Sequence, residues 1–211
     1  MRRRLPVRRL VEALVSGDES RSRAIARESL SAAKSRTDVF ADLIQPAQYE
    51  IGELWYSGRI GVAIEHRATA IVEAVVEDLE PTPSAHPVRP GTSCVLAAVG
   101  DEQHVVGLRV LQLALEDDGW LVEQLGGRTP VEELSAYIAG RRIALVGLSA
   151  GYLPTIRAVR HSVEQLKGRI PVVVGGAAFN RVPGLWRRVG ADGHGVDARV
   201  SVVLARRLIP Q

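Results

Sequence analysis

The chain has 211 residues, of which 46% are hydrophobic and 24% are charged, and its formal net charge at pH 7 is +3. This composition is ordinary for a globular protein with one large domain or two small ones. No apolar stretch approaches the ~20 residues that span a bilayer, and the basic start, residues 1–6, lacks the apolar segment of a secretory signal. We therefore expect a cytoplasmic protein without membrane attachment. The single cysteine, Cys94, excludes an intrachain disulfide and a cysteine-rich metal site.

The first part of the chain, residues 1–80, has helical periodicity and almost no strand pattern from residue 6 onward. The first predicted helix ends at Ser16-Gly17, and the second runs from its cap, Asp18, to about Lys34. The third runs from Thr37 or Asp38, as its cap, towards Trp55, and the fourth from about Val62 to Leu79. Pro46 lies inside the third helical pattern, so we expect a kink there. Four helices joined by short turns predict an antiparallel four-helix bundle.

A second periodicity begins after residues 81–93, which carry four prolines, lack apolar periodicity and are interpreted as a linker. Short apolar runs lie at Cys94–Val99, Trp120–Leu125, Ile143–Leu148, Pro171–Val174 and, weakly, Ala191–Gly193. Helical patterns lie near His104–Asp118, Pro130–Ala139, Leu153–Lys167, Val182–Val189 and Asp197–Leu208. This alternation predicts an α/β domain over residues 94–211, with a flavodoxin- or Rossmann-like parallel five-stranded sheet and helices on both faces.

Three glycine-bearing turns, at residues 100–107, 147–151 and 175–176, each follow a predicted strand. Ligands of open parallel sheets bind at the carboxyl ends of the strands, near the point where the strand order reverses. We therefore expect these turns to meet at one edge of the sheet. His194 follows the last predicted strand and is interpreted as a solvent-facing turn residue.

The first of these turns contains a carboxylate two residues before a histidine, in the order Glu102-Gln103-His104-Val105-Val106-Gly107. A carboxylate so placed can bond one imidazole nitrogen and orient the ring while the other nitrogen binds a metal. Gly107 would let a ligand approach closely. The motif is short, so by itself it is more typical of an exposed loop histidine near the start of a helix.

The two later turns add a hydroxyl and a pair of glycines. Ser149 could bond a nitrogen of a long heterocyclic tail inserted beside the sheet, and Gly175-Gly176 would let that tail pass the backbone without meeting a Cβ atom. For the glycine pair, a plain strand-to-helix turn is the other interpretation.

In order, spacing and predicted secondary structure, residues 94–208 resemble the cobalamin-binding family, in which a D-x-H-x-x-G loop is followed by a serine about forty residues on and then by two glycines. The resemblance implies that His104 replaces the dimethylbenzimidazole base as the lower cobalt ligand. It also implies that the detached base tail threads into the sheet beside Ser149 and the glycine pair. Two departures are Glu102, where aspartate is usual, and Gly151, where leucine is usual.

The helical half resembles the cap of CarH-type light-responsive regulators, because Trp55 is followed after nine residues by Glu65-His66. The resemblance implies that Trp55 packs against the 5′-deoxyadenosyl group of adenosylcobalamin while Glu65 and His66 line its polar side. Methylcobalamin is the other possible form of the cofactor. In those regulators a histidine beside the cap tryptophan can bind cobalt after photolysis. Tyr56 holds that position here, so we do not expect a bis-histidine light state.

These features favour a cobalamin-binding sensory protein that is not an enzyme, in which photolysis of the Co–C bond changes domain packing or assembly. The expected output is a homo-oligomer or a separate regulatory protein. Direct DNA binding is not expected, because no zinc-finger spacing, helix-turn-helix or winged helix precedes the bundle. The alternative function is a corrinoid methyl carrier of a methyltransferase system, and a cobalamin-independent α/β binding module is the third.

Overall fold

The computed structural model describes residues 4–80 and 87–209. Its contacts divide the chain into two compact units, with the boundary in the sequence between residues 82 and 83. Residues 81–86 of the predicted linker lie outside the described residues. The rest of that linker is part of the second unit: the Arg89 N–H donates to the Gly119 carbonyl at 2.8 Å, and the Thr92 hydroxyl donates to the Arg89 carbonyl at 2.6 Å.

The first unit is helical and comprises α1 (Arg4–Ser16), α2 (Glu19–Ala32), α3 (Arg36–Val39), a π-helical segment (Phe40–Ile44), α4 (Gln45–Tyr56) and α5 (Val62–Asp78). Helix α1 packs on α2, α4 and α5, and α5 also packs on α2 and α4. The shared core contains Leu10, Leu14, Ile25, Phe40, Ile51 and Val72, all buried. Since α3, the π-helical segment and α4 are continuous, the unit has the predicted four-helix arrangement.

The start of the third helix differs from the prediction. The cap of this helix is Ser35, not Thr37 or Asp38. The Ser35 backbone is extended, and the Ser35 hydroxyl oxygen accepts from the Asp38 N–H at 3.1 Å. A serine in this role satisfies one of the N–H groups that the first helical turn leaves without a partner. The cap of α2 is Asp18 as predicted, with its carboxylate accepting from the Arg21 N–H at 2.9 Å.

The residue Pro46 is accommodated by a widened helical turn. Proline has no N–H, and its ring collides with the carbonyl group one α-helical turn earlier. Here the preceding residues 40–44 are π-helical, and the Gln45 N–H bonds the Phe40 carbonyl. Such single π turns interrupt α-helices where the regular ladder cannot continue. The third predicted helix is therefore not one continuous α-helix.

The second unit is a parallel sheet with the strand order β2-β1-β3-β4-β5. Its strands are β1 (Ser93–Val99), β2 (Leu121–Thr129), β3 (Leu145–Ser149), β4 (Val172–Gly175) and β5 (Gly193–Gly195). Its helices are α6 (Val106–Asp117), α7 (Val131–Ile138), α8 (Ile156–Leu166), α9 (Ala177–Arg181), α10 (Leu185–Arg188) and α11 (Ala198–Leu208), with a 3-10 turn at Leu153–Thr155. This is the predicted flavodoxin-like order, which reverses between β1 and β3.

Helices cover both faces of the sheet. Successive side chains of β1 are therefore buried on either face, which explains why its sequence is a continuous apolar run. Val95 and Val99 pack in one cluster with side chains of α7 and α8, and Leu96 packs in a second cluster with side chains of α6 and α11. No helix in the described part of the chain is both long and apolar enough to cross a membrane.

Two predicted elements in the last third of the chain were misplaced. The final strand is Gly193–Gly195 and not Ala191–Gly193. Of the helix predicted at Val182–Val189 only Leu185–Arg188 forms, as α10, and α9 (Ala177–Arg181) lies before that range and was not predicted. Pro183 and Gly184 separate α9 from α10, with Gly184 in the left-handed region at φ 72°. Apolar periodicity alone does not locate elements of three to five residues, because they span too little of a repeat.

We predict that Ser35→Ala lowers the free energy of unfolding of the helical unit by about 1 kcal/mol, because the Asp38 N–H loses the Ser35 hydroxyl and keeps only the Ser35 carbonyl at 3.2 Å. Thr37→Ala is the matched control, since Thr37 lies inside the helix and makes no cap. Chemical denaturation followed by circular dichroism measures both. Equal losses for the two variants would contradict the assignment of Ser35 as the cap.

Candidate functional site

The loops after β1, β3 and β4 lie together at the carboxyl edge of the sheet, as expected. Ala97 of β1 is in register with Leu148 of β3, and Ser149 is in register with Gly175 of β4. Since β1 and β3 flank the reversal of the strand order, this edge is where parallel sheets of this type bind ligands.

The first loop holds the Glu102–His104 pair in the predicted arrangement. The Glu102 side chain is fully buried. Its Oε1 accepts from the His104 backbone N–H at 3.0 Å and lies 2.5 Å from His104 Nδ1. The His104 side chain is 64% exposed. With Nδ1 engaged by a buried carboxylate, Nε2 is the ring nitrogen that would bind a metal.

The loop after β3 completes the surroundings of Glu102. Glu102 Oε2 accepts from the Gly151 N–H at 2.5 Å and lies 3.5 Å from the Thr155 hydroxyl. The Thr155 hydroxyl also donates to the Tyr152 carbonyl at 2.8 Å. One carboxylate therefore connects the loop after β1 to the loop after β3.

The Tyr152 ring lies beside the His104 ring. Its centroid lies 6.1 Å from that of the His104 ring, in an edge-to-face arrangement, and its hydroxyl donates to the Asp101 carbonyl at 3.1 Å. Sequence reasoning missed Tyr152 and Thr155 as site residues and noted Gly151 only as a departure. The available signal was their position immediately after Ser149, in a loop already expected at this edge.

The electrostatics of Glu102 favour its ionised form. Burial acts to raise the pKa of this carboxyl group, but the hydrogen bonds from the His104 ring, the His104 N–H and the Gly151 N–H outweigh burial and hold the pKa below its ordinary value. A carboxylate on Nδ1 fixes the ring orientation and raises the basicity of the other nitrogen. The pair is thus suited to present an oriented imidazole to a metal.

The end of β2 supports the same loop from the other side. The Arg128 N–H donates to the Glu102 carbonyl at 2.7 Å. Arg128 has φ 54°, and among the described residues it is the only non-glycine with positive φ. A Cβ atom on the adjacent Gly127 would lie 3.0 Å from the Glu102 carbonyl oxygen. The loop of His104 is therefore packed closely against backbone on both flanks.

Ser149 and Gly175 lie side by side on the sheet face that carries α6 and α11, since alternate residues of a strand share a face. Within the part of the chain that the structure describes, the Ser149 hydroxyl has no hydrogen-bond partner. A small, polar surface at this point fits the predicted contact with a heterocyclic tail. That contact stays a prediction.

The neighbouring Gly176 is explained by the fold itself. It has φ 99°, and a Cβ atom there would collide with the Ala150 carbonyl oxygen. Gly107 is the opposite case: it is exposed in the first turn of α6, and a Cβ atom would meet no atom within 4 Å. The packing of the chain does not require a glycine at position 107, so its predicted role in ligand approach stays open to test.

The predicted cap residues lie at one end of the helical unit. Trp55 is in the last turn of α4 and is 49% exposed, whereas Tyr56 beside it is 84% exposed. Glu65 and His66 lie in the first turn of α5, across the connecting turn 57–61. Glu65 is largely buried and accepts from the Thr69 hydroxyl at 3.1 Å, while His66 is exposed with Nε2 3.6 Å from Glu65 Oε2.

The last histidine of interest, His194, is not the solvent-facing turn residue that was expected. It lies within β5, is half-buried, and its Nε2 is 2.8 Å from Asn180 Oδ1. Burial lowers the pKa of His194 below its ordinary value. A neutral histidine in this position is a structural partner for Asn180.

The residues at the sheet edge would contribute one histidine ligand to a metal macrocycle that supplies its other ligands itself. In the described ranges no group of three or more His, Cys, Asp or Glu side chains could hold a metal ion. A macrocycle brings its own equatorial nitrogens, so a single oriented imidazole is the contribution required from the protein. Fold and site together suit a domain that would bind such a cofactor with one histidine as a protein ligand.

Comparison with known families agrees with this class. Residues 92–203, more than half of the chain, match the model of the B12 binding domain, and residues 7–80 match a second B12 binding domain model. The chain belongs to the B12-binding domain family and is a cobalamin-binding protein.

Among similar proteins, the HTH-type transcriptional repressor CarH of Myxococcus xanthus is 32% identical over 143 residues, which are 66% of this chain and 47% of CarH. The chain thus spans about half the length of that relative. Dimethylamine corrinoid protein 2 of Methanosarcina mazei is 24% identical over 167 residues, 76% of this chain and 77% of the relative. The structure of the Methanosarcina barkeri monomethylamine corrinoid protein shares the fold, with a TM-score of 0.74, 18% identity and coverage of 95% and 96%.

We predict that His104→Ala removes the protein ligand from bound cobalamin and weakens binding by at least about tenfold. The measurement is the electron paramagnetic resonance spectrum of the Co(II) form in protein with isotopically labelled histidine, which resolves coupling to a histidine nitrogen. His161→Ala, an exposed histidine on α8, is the control and should keep the coupling. Coupling that persists in His104→Ala would refute the assignment.

We also predict that Ser149→Leu weakens cobalamin binding by about tenfold or more, because the larger side chain fills the space beside Gly175. Ser149→Ala, which removes only the hydroxyl, should cost less. Titration of each purified variant with cobalamin measures the difference, with thermal unfolding of the apo proteins as the check on folding. Full affinity in Ser149→Leu would show that the cofactor does not enter at this position.

Proposed function

We propose that this protein is an adenosylcobalamin-dependent light sensor in which loss of the adenosyl group changes domain packing or assembly. The observation that carries the proposal is the half-exposed Trp55 ring, placed with Glu65 and His66 at one end of the helical unit. A single exposed apolar side chain is ordinary on a protein surface, so the ring supports the proposal through its spacing to Glu65-His66, which resembles the cap of CarH-type regulators. The similarity to CarH, a transcriptional repressor, supports a regulatory role.

The chemistry of the three cap residues suits an adenosyl group. An indole face packs well against an aromatic base, and a carboxylate accepts hydrogen bonds from ribose hydroxyls. Bound adenosylcobalamin would supply a Co–C bond that light cleaves. Trp55 would then contact the cofactor in the dark and lose that contact after illumination, which is the difference in interaction energy that a two-state switch requires.

The output of the proposed sensor is a change of self-association or of binding to a separate regulatory protein, with no catalysis by the chain itself. Direct DNA binding is not part of the proposal. His104 would bind cobalt both before and after illumination. The signal of the proposed sensor therefore arises in the helical unit.

The second candidate function is a corrinoid methyl carrier. It is favoured by the similarity to dimethylamine corrinoid protein 2, which extends over more than three quarters of both chains. A methyl group is small and must be reached by partner enzymes, so a carrier gains nothing from a tryptophan that packs against a bulky upper ligand. The two functions therefore differ in the role of Trp55 and agree in the role of His104.

The test is reconstitution in darkness with adenosylcobalamin, followed by size-exclusion chromatography before and after green light. The sensor proposal predicts bleaching together with a change in elution volume. Trp55→Ala should lower the preference for adenosylcobalamin over methylcobalamin by about sixtyfold, since losing roughly 100 Å² of apolar contact at ~25 cal/mol per Å² costs about 2.5 kcal/mol.

Tyr56→Ala is the matched control for this variant, because Tyr56 is the adjacent aromatic and is exposed almost completely. It should keep the preference for the adenosyl form. Binding without any light-dependent change in assembly, and with equal affinity of wild type and Trp55→Ala, would favour the methyl carrier.

A further inference from the structure

We infer that Gly151 is a positioning residue for His104 and forms a matched pair with Glu102: the longer carboxylate fits only because position 151 has no side chain. The inference rests on the proposal that His104 binds cobalt, and it concerns how this chain holds that histidine. Its consequence is that the side chain at position 151 tunes histidine ligation without touching the cofactor.

The first observation is how fully the Glu102 carboxylate is used. Glu102 Oε1 accepts from the His104 N–H and contacts the His104 ring nitrogen Nδ1, and Oε2 accepts from the Gly151 N–H and lies near the Thr155 hydroxyl. A carboxylate shortened by one methylene would retract by roughly 1.5 Å. It could then not stay within hydrogen-bond distance of both loops, and a buried N–H left without a partner is destabilising.

The second observation is the space at Gly151. A Cβ atom there would lie 3.2 Å from His104 Nδ1, 3.3 Å from Glu102 Oε2 and 3.5 Å from Glu102 Oε1. The first two distances are tighter than ordinary van der Waals contacts, so the carboxylate and the imidazole would have to shift. Gly151 does not have positive φ. Its backbone therefore accepts alanine without strain, and space alone restricts the position.

Together these observations predict compensation between the two positions. Gly151→Ala should push the carboxylate and the ring away from their bonded positions, and Glu102→Asp should leave a gap beside Gly151. In the double variant the added methyl group fills the gap that the shorter side chain leaves. The double variant should consequently lose less than the product of the two single effects, which is the signature of coupled neighbours.

The experiment is a double-mutant cycle on the full chain with wild type, Glu102→Asp, Gly151→Ala and the double variant. Thermal unfolding of the apo proteins gives one cycle, and the dissociation constant of cobalamin with the histidine-labelled Co(II) spectrum gives a second. We expect each single change to weaken cobalamin binding about tenfold and to reduce the fraction with histidine coupling. We expect the double variant to lie within about threefold of the better single variant.

Gly61→Ala is the matched control, because a Cβ atom at Gly61 meets nothing within 4 Å and the residue does not have positive φ. It should leave the histidine coupling unchanged. Additive effects in both cycles, or wild-type behaviour of Gly151→Ala, would overturn the pairing. Absence of histidine coupling in wild type would instead refute the assignment of His104 as a ligand, and the apo unfolding cycle would still decide whether the two positions are coupled.

Discussion

The buried carboxylate of Glu102 is the interaction on which the site depends. A carboxylate without water is destabilising unless its oxygens are bonded, and here the donors come from its own loop and from the loop after β3. Those loops leave the two strands at which the sheet order reverses. The charge therefore stabilises the edge of the sheet and the orientation of His104 through the same hydrogen bonds. Weakening those bonds would affect both.

Much of this architecture could be predicted because each strand or helix carries its own periodicity. Four of the five strands, the bundle and the position of the His104 loop follow from local apolar patterns and turn residues. The contact of Glu102 with Gly151 could not be predicted in this way, because the two residues are 49 positions apart. Thr155 is 53 positions from Glu102. Such contacts are set by strand register, which a pattern of apolar residues leaves undetermined to within a residue or two.

The local errors also have physical causes. Ser35, Thr37 and Asp38 are all residue types that cap helices, and only the extended backbone at Ser35 selects among them. At Pro46 the sequence indicates that the α-helical ladder is interrupted. It does not indicate whether the chain bends or widens, since packing of Phe40 and Ile44 in the core decides that.

The glycines of the site show that a motif combines two kinds of constraint. Gly176 is required by the carbonyl of Ala150, so its presence says little about a ligand. Packing does not require Gly107, and the Ser149 hydroxyl has no hydrogen-bond partner within the described chain, so their roles toward a ligand stay predictions. A glycine that the packing requires can be told from one that a ligand requires only when the position of the neighbouring backbone is known. The spacing of a motif does not contain that information.

The same separation applies to function. The residues that orient His104 would act on the cofactor only through that histidine, and a light sensor and a methyl carrier would need it equally. The contacts of Glu102 therefore concern how cobalt would be held and do not distinguish an adenosyl from a methyl ligand. The upper ligand is therefore argued from the helical unit, where Trp55 is 49% exposed at the end of α4, next to the exposed Tyr56. The buried half of the Trp55 side chain packs within the helical unit, and the exposed half gains nothing from that packing. Under the proposed function the exposed half would be covered by the flat base of an adenosyl group, a surface that a methyl group does not offer.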